Sequence, residues 1–149
     1  MGGPQELKKV ANIRLRTVRI LIKAEDWDGA AYMMGYVLEC ALKAAVCKAL
    51  HLKKYPDLKS STTSEKINRF FMTHEFDVLL TVSGLEDIFG YDGLGFNSWS
   101  GFTQEYKGIW TGMRYDIGSW DKKKTKNIYN FLVGRKEGLL SLIERNHRW

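Results

Sequence analysis

Tyr32, Tyr36, Glu39 and Lys43 follow one another at steps of four, three and four, so on an α-helix they line one stripe. The residues around them, Gly29 to Lys43, read GAAYMMGYVLECALK and are apolar on nearly every face. A helix with no solvated side belongs at the centre of a bundle. A carboxylate and an ammonium one turn apart are costly there unless they pair or serve a ligand. Two uses are open: Glu39 and Lys43 satisfy each other inside the core, or the stripe faces a groove and meets a substrate.

The other candidates for chemistry are basic. Met113-Arg114-Tyr115-Asp116 stands just before the last predicted helix, in a glycine-framed segment. An arginine there can reach a phosphate at the amino end of that helix, where backbone N–H groups also point. The structural alternative is an ion pair with Asp116 or Glu39. Lys122, Lys123, Lys124 and Lys126 crowd the first turn of the same helix. Positive charge there opposes the helix dipole, so the cluster suits a solvated surface or phosphate contact. Arg14 falls inside the apolar stripe of the first predicted helix. It either snorkels or pairs with a carboxylate such as Glu39, or it points into a site.

Several chemistries lack their residues. The chain has no P-loop, no dinucleotide fingerprint and no Cys-x-x-Cys. His51, His74 and His147 lie far apart, which argues against a dedicated zinc site, and neither cysteine has a neighbouring histidine. No cofactor is implied. Cys40 and Cys47, seven apart on one predicted helix, would hold their α-carbons about 10 Å apart. That exceeds the roughly 7 Å a disulfide tolerates, so they read as buried reduced thiols, which suits the cytoplasm.

These residues need helices to place them. Leu7, Ala11, Leu15, Val18 and Ile22 form an apolar stripe from Gln5 to Lys23, with Lys9, Asn12, Arg16, Arg19 and Lys23 on the other side. A second helix starts after Glu25-Asp26-Trp27-Asp28, capped by Asp26 or Asp28, and runs to about Leu50. Residues 51–63 read as a loop. A third helix starts at Ser64-Glu65 and reaches Thr73, with a break near Thr73-His74. A further run, Glu75 to Ser83, stops at Gly84 as a C′ glycine. From Gly84 to Trp120 stand eight of the 14 glycines and nine aromatics, a long connection whose aromatics anchor it to the core or stack on bases. Within it Asn97 to Thr111 has helical spacing. The last helix is predicted from Asp121 to Arg145, with Arg135 among its inward positions.

No segment alternates long enough to demand a strand. The expectation is one all-α domain over residues 1–149, a bundle of four to five helices. The net charge of +6 favours a polyanionic partner such as RNA, DNA or an acidic protein. The polar start is unlike a cleavable signal, and Glu39, Lys43 and Lys48 interrupt the apolar run before about 20 residues, so no membrane partner is expected.

Ala30 to Ala44 with the preceding Ala24-Glu25-Asp26-Trp27 resembles the HEPN domain family (higher eukaryotes and prokaryotes nucleotide-binding). The likeness is closest to a prokaryotic branch whose second helix reads A-x-Y-x-x-G-Y-x-x-E-x-x-L-K. His74 to Leu80 is similar to that family's H-x-L-x-x-L segment. Ile109-Trp110 followed by Arg114-Tyr115-Asp116 is similar to its tryptophan and R-Y-D before the last helix. The resemblance implies an α-helical bundle, often a homodimer, and in active members a metal-independent endoribonuclease. Such members use R-x4–6-H, the arginine for phosphate charge and the histidine as acid or base on the 2′-hydroxyl. Many serve in toxin–antitoxin or defence modules, often beside a small nucleotidyltransferase.

This chain departs from that pattern. With Arg114 as the motif arginine, the histidine would fall at 119–121, where Ser119, Trp120 and Asp121 stand. Arg69 and His74 match the spacing, but five helical residues turn about 140°, which splays them apart. His74 entering the groove from another helix, opposite Arg114, is the remaining route to catalysis. The resemblance therefore implies a domain that binds RNA or a nucleotide with little or no catalysis, through Arg14, Tyr32, Tyr36, Glu39, Lys43, Tyr115 and the lysines at 122–126. A ribonuclease using Arg114 and His74 is one alternative, and a structural dimerisation adaptor is another.

Overall fold

Pro4, in the first helical turn, and the Glu6 carboxylate, which accepts from the Gly3 N–H, start α1 (Pro4–Lys23). In the computed structural model, described over residues 2–57, 59, 64–106 and 110–147, all regular structure is helical. After α1 come α2 (Trp27–Ala49), α3 (Glu65–Phe71), α4 (Phe76–Val82), α5 (Glu86–Phe89), α6 (Phe96–Thr103), a 3-10 helix (Trp110–Tyr115), α7 (Lys122–Val133) and α8 (Leu139–His147).

Asp26 caps α2, accepting from Gly29 N at 2.9 Å, and the short link sends α2 back along α1. Leu7, Ala11, Leu15 and Val18 of α1 are buried on this packed face. α2 also meets α4, α7, α8 and the 3-10 helix, so it is the axis of the bundle. By length and composition it would pass for a membrane span despite its charges. Instead it fills the core, with 83% of its most apolar window buried.

Glycine on α2 permits one close approach. A Cβ on Gly35 would stand 2.7 Å from the Trp110 ring, which also meets Tyr32 (5.4 Å between centroids) and stacks on Phe76 at 5.8 Å. Phe102 and Tyr106 stack at 4.6 Å, and the Tyr106 hydroxyl donates to Ala31 O at 2.7 Å. Five aromatics (Phe76, Phe102, Tyr106, Trp110, Trp120) are therefore buried packing groups and not platforms for bases.

The expected count of four to five helices is too low among the described residues. The predicted last helix breaks at Gly134–Gly138, where the Gly134 carbonyl accepts from Gly138 N (3.1 Å) and Ser141 Oγ (2.9 Å). The break resets the phase, burying Leu139, Leu142 and Ile143 and leaving Arg135 exposed. The helix predicted over Asn97–Thr111 ends at Thr103; residues 107–109 lie outside the described residues, and a tighter 3-10 helix follows. The break at Met72–Glu75 is present, and Gly84 follows α4 with φ +71°.

Candidate functional site

The stripe on α2 divides. Tyr32 packs against Trp110, and Tyr36 is about one-third exposed. Glu39 and Lys43 are both 4% exposed, and Lys43 Nζ donates to Glu39 Oε1 at 2.6 Å. The ammonium also stands 5.1 Å from the Tyr55 ring centroid, while the Tyr55 hydroxyl donates to Phe71 O at 2.6 Å. The chain after α2 and the end of α3 thus cover the pair. Burial pushes the Tyr55 hydroxyl far above its ordinary range, with the Glu39 charge adding to it.

His74 completes this centre from the break between α3 and α4. Thr73 Oγ1 accepts from Glu75 N at 3.0 Å, a local turn that stops α3. The His74 Nδ1 then lies 2.9 Å from the same Glu39 Oε1. A carboxylate oxygen accepts, so Nδ1 is the donor, and a neutral ring presents Nε2 as an acceptor. Half of that side chain is exposed, against 5% for Glu39. A buried carboxylate orienting a half-exposed imidazole is the arrangement of a general base.

Glu39 Oε2 is buried and has no hydrogen-bond partner among the described residues. A cavity of about 140 Å³ borders this centre between α1 and α2, lined by Glu6, Leu7, Val10, Tyr36 and Cys40 with the Glu39–Lys43 pair. Burial, then the Glu39 charge, pushes the Cys40 thiol up to about 12, which makes it a poor nucleophile. Cys40 and Cys47 are both free and buried. The Tyr36 hydroxyl is raised as well, first by burial, then by Cys40 and Glu39, with Arg14 opposing. Arg14 is exposed, and its charge opposes the upward shift of Tyr36 and Cys40. It forms no ion pair with Glu39.

Arg114 does not join this centre. It is exposed, with its guanidinium 5.0 Å from the Tyr115 ring, and it makes no ion pair with Glu39 or Asp116. Trp110 pins the start of the 3-10 helix, whereas residues 114–119 are exposed throughout. Tyr115, 76% exposed, is equally remote from the core. Arg69 pairs with Glu65 at 2.7 Å, away from His74.

The lysines at the start of α7 form a separate group. Lys124 pairs with Glu105 at 2.9 Å and lies over the Trp120 ring at 4.5 Å. Lys122, Lys123 and Lys126 are exposed. Asp121 caps the helix by accepting from Lys124 N at 2.8 Å, which offsets part of the dipole conflict.

Two contacts escaped the sequence reading. Asp28 accepts from Gly118 N (2.7 Å) and Trp120 N (3.1 Å), tying the approach to α7 onto the start of α2. Its spacing from them, 90 and 92 residues, offers no local signal. The hydrogen bond of His74 to Glu39 spans 35 residues; the sequence reading brought His74 into the groove opposite Arg114 but did not pair it with Glu39. Among the described residues no three His, Cys, Asp or Glu side chains are placed to hold a metal ion. Comparisons with protein-family profiles, characterised proteins and solved structures find no match for this chain.

Proposed function

We propose that this protein is a HEPN-like helical domain that binds RNA or a nucleotide, centred on Glu39, Lys43 and His74, and works with a partner protein in a defence or toxin–antitoxin module. The observation that carries the binding reading is the unequal use of Glu39. One oxygen holds Lys43 and His74, while the other is buried without a partner among the described residues, and Glu39 lines the cavity. A buried carboxylate oxygen without a donor is costly alone and is satisfied by a ligand N–H or O–H, such as a base amino group or a ribose hydroxyl. The half-exposed imidazole and the exposed Arg14, whose charge reaches Tyr36 and Cys40, suit the phosphate that accompanies either. The partner, the homodimer and the module rest on the family resemblance.

The test is fluorescence anisotropy in low salt with short single-stranded RNA, and calorimetry with ATP and GTP. The reading expects binding to at least one probe and its weakening in Tyr36→Phe and His74→Ala. No binding to any probe overturns it.

The anchored His74 also favours a second reading, a metal-independent endoribonuclease in which that ring takes the 2′-hydroxyl proton. Cleavage of total RNA by wild type that is lost in His74→Ala supports it. Equal activity in both proteins, or none in wild type, removes it. Arg114→Ala asks whether the exposed arginine joins the site only when RNA is bound.

A further inference from the structure

The basic excess of this chain sits on two helices, α1 and α7. α1 carries six basic residues, Lys8, Lys9, Arg14, Arg16, Arg19 and Lys23, and a single carboxylate, Glu6. Those charges give α1 +5; the four lysines of α7 add +4, and the rest of the chain is acidic enough to bring the total to +6. At 100° per residue Lys9, Arg16, Arg19 and Lys23 fall within an arc of about 80°, spread over about 21 Å of helix. An open groove of about 680 Å³ runs along this side, lined by Gln5, Lys9, Asn12, Arg16 and Arg19.

A second helix extends the strip. Arg19 Nε donates to the Tyr129 hydroxyl on α7 at 3.0 Å. Three and seven residues before Tyr129, on the same side of α7, stand Lys126 and Lys122. α7 contains no carboxylate. Lys8 and Lys124 are committed to Glu144 and Glu105. Lys9, Arg16, Lys23, Lys122 and Lys126 are exposed, without an ion pair among the described residues. A row of uncompensated cations one or two turns apart repels itself, and a polyanion relieves it.

We infer that the strip formed by Lys9, Arg16, Arg19 and Lys23 of α1 with Lys122 and Lys126 of α7 holds the sugar-phosphate backbone of an RNA strand, independently of sequence. The inference rests on the RNA-binding reading above and assigns it a surface apart from the Glu39 centre. An anionic membrane is the poorer occupant. A basic amphipathic helix enters lipid through its apolar face, and here Leu7, Ala11, Leu15 and Val18 are already buried against the core.

The experiment is anisotropy with a short unstructured RNA across a salt series, using wild type, Lys9→Gln/Arg16→Gln/Lys23→Gln, and a control that neutralises three exposed lysines elsewhere, Lys53, Lys54 and Lys136. Binding is expected to weaken about tenfold or more in the strip variant, and its log affinity against log salt to flatten by about 2, at roughly 0.7 per lost phosphate contact. The control is expected to keep the wild-type slope. A thermal melt checks folding, and the single Arg16→Gln, expected to flatten the slope by about 0.7, serves if the triple variant unfolds.

Wild-type slope in the strip variant, or an equal loss in the control, overturns the strip while leaving the Glu39 reading intact. Anionic phosphatidylserine vesicles that bind wild type more tightly than RNA, with that binding lost in the strip variant, also overturn it. Absence of RNA binding in wild type overturns the strip, and the Glu39 reading falls with it only if ATP and GTP also fail to bind.

Discussion

An ion pair between Glu39 and Arg114 was one of the readings open from sequence, and their surroundings show why the two do not meet. Glu39 lies in a segment where apolar residues occupy every helical face, so wherever the backbone goes, its charge goes into the core. Arg114 lies in a segment whose one fully buried ring is Trp110, and five exposed residues follow the arginine. Nothing apolar pulls its side chain inward. One region buries its charges and must pair them; the other displays its charges and leaves them to solvent or ligand.

The sharpest break of that contrast is Lys43→Met. Removing the ammonium leaves the Glu39 carboxylate buried with only His74 to answer it, and a loss of about 3–5 kcal/mol is expected in urea unfolding. The double variant Glu39→Leu/Lys43→Met is expected to recover most of it. A loss below about 1 kcal/mol would mean that the pair is solvated like Arg114.

Alkaline pH reaches the same buried region. The Cys40 thiol titrates near 9.0 when unperturbed and at about 12 in the fold, so the folded state holds its proton more tightly. The resulting stability is fully present below pH 9 and is lost as pH rises towards 12. About 2 kcal/mol is expected to disappear between pH 9 and 11, with a flatter profile for Cys40→Ala.

Gly35→Ala probes how firmly Trp110 pins the exposed region to the buried one. The new Cβ meets the indole at 2.7 Å, and the overpacking is only partly offset by the better helix propensity of alanine. A net loss of about 1–2 kcal/mol is expected, with faster proteolysis near Ile117. Arg114→Ala sits at the other extreme, with a stability change within about 0.5 kcal/mol. A larger change would place Arg114 in a structural contact and erase the contrast.

Much of the fold was legible. The stripe on α1, the apolar girth of α2 and the glycine after α4 each follow from local pattern, and all three match the structure. The last helix was misread because its apolar spacing runs across Gly134, where a side-chain hydroxyl and a backbone N–H share one carbonyl and turn the chain. Half of the candidate site was legible too. Glu39 with Lys43 is a pair one turn apart on a single helix, whereas His74 arrives through a turn whose direction no local pattern encodes.

Composition and periodicity by themselves determined an all-helical chain, a central α2 carrying Glu39 and Lys43 one turn apart, and a basic outer face on α1. They did so because 3.6-residue spacing converts residue order directly into a side of a helix. Only the tertiary structure decided that His74 rests on Glu39, that Asp28 holds the approach to α7, and that Arg19 links α1 to α7 through Tyr129. Those contacts join residues 35, 90 and 110 positions apart, and such distances close only when the packing of the whole bundle brings their helices together.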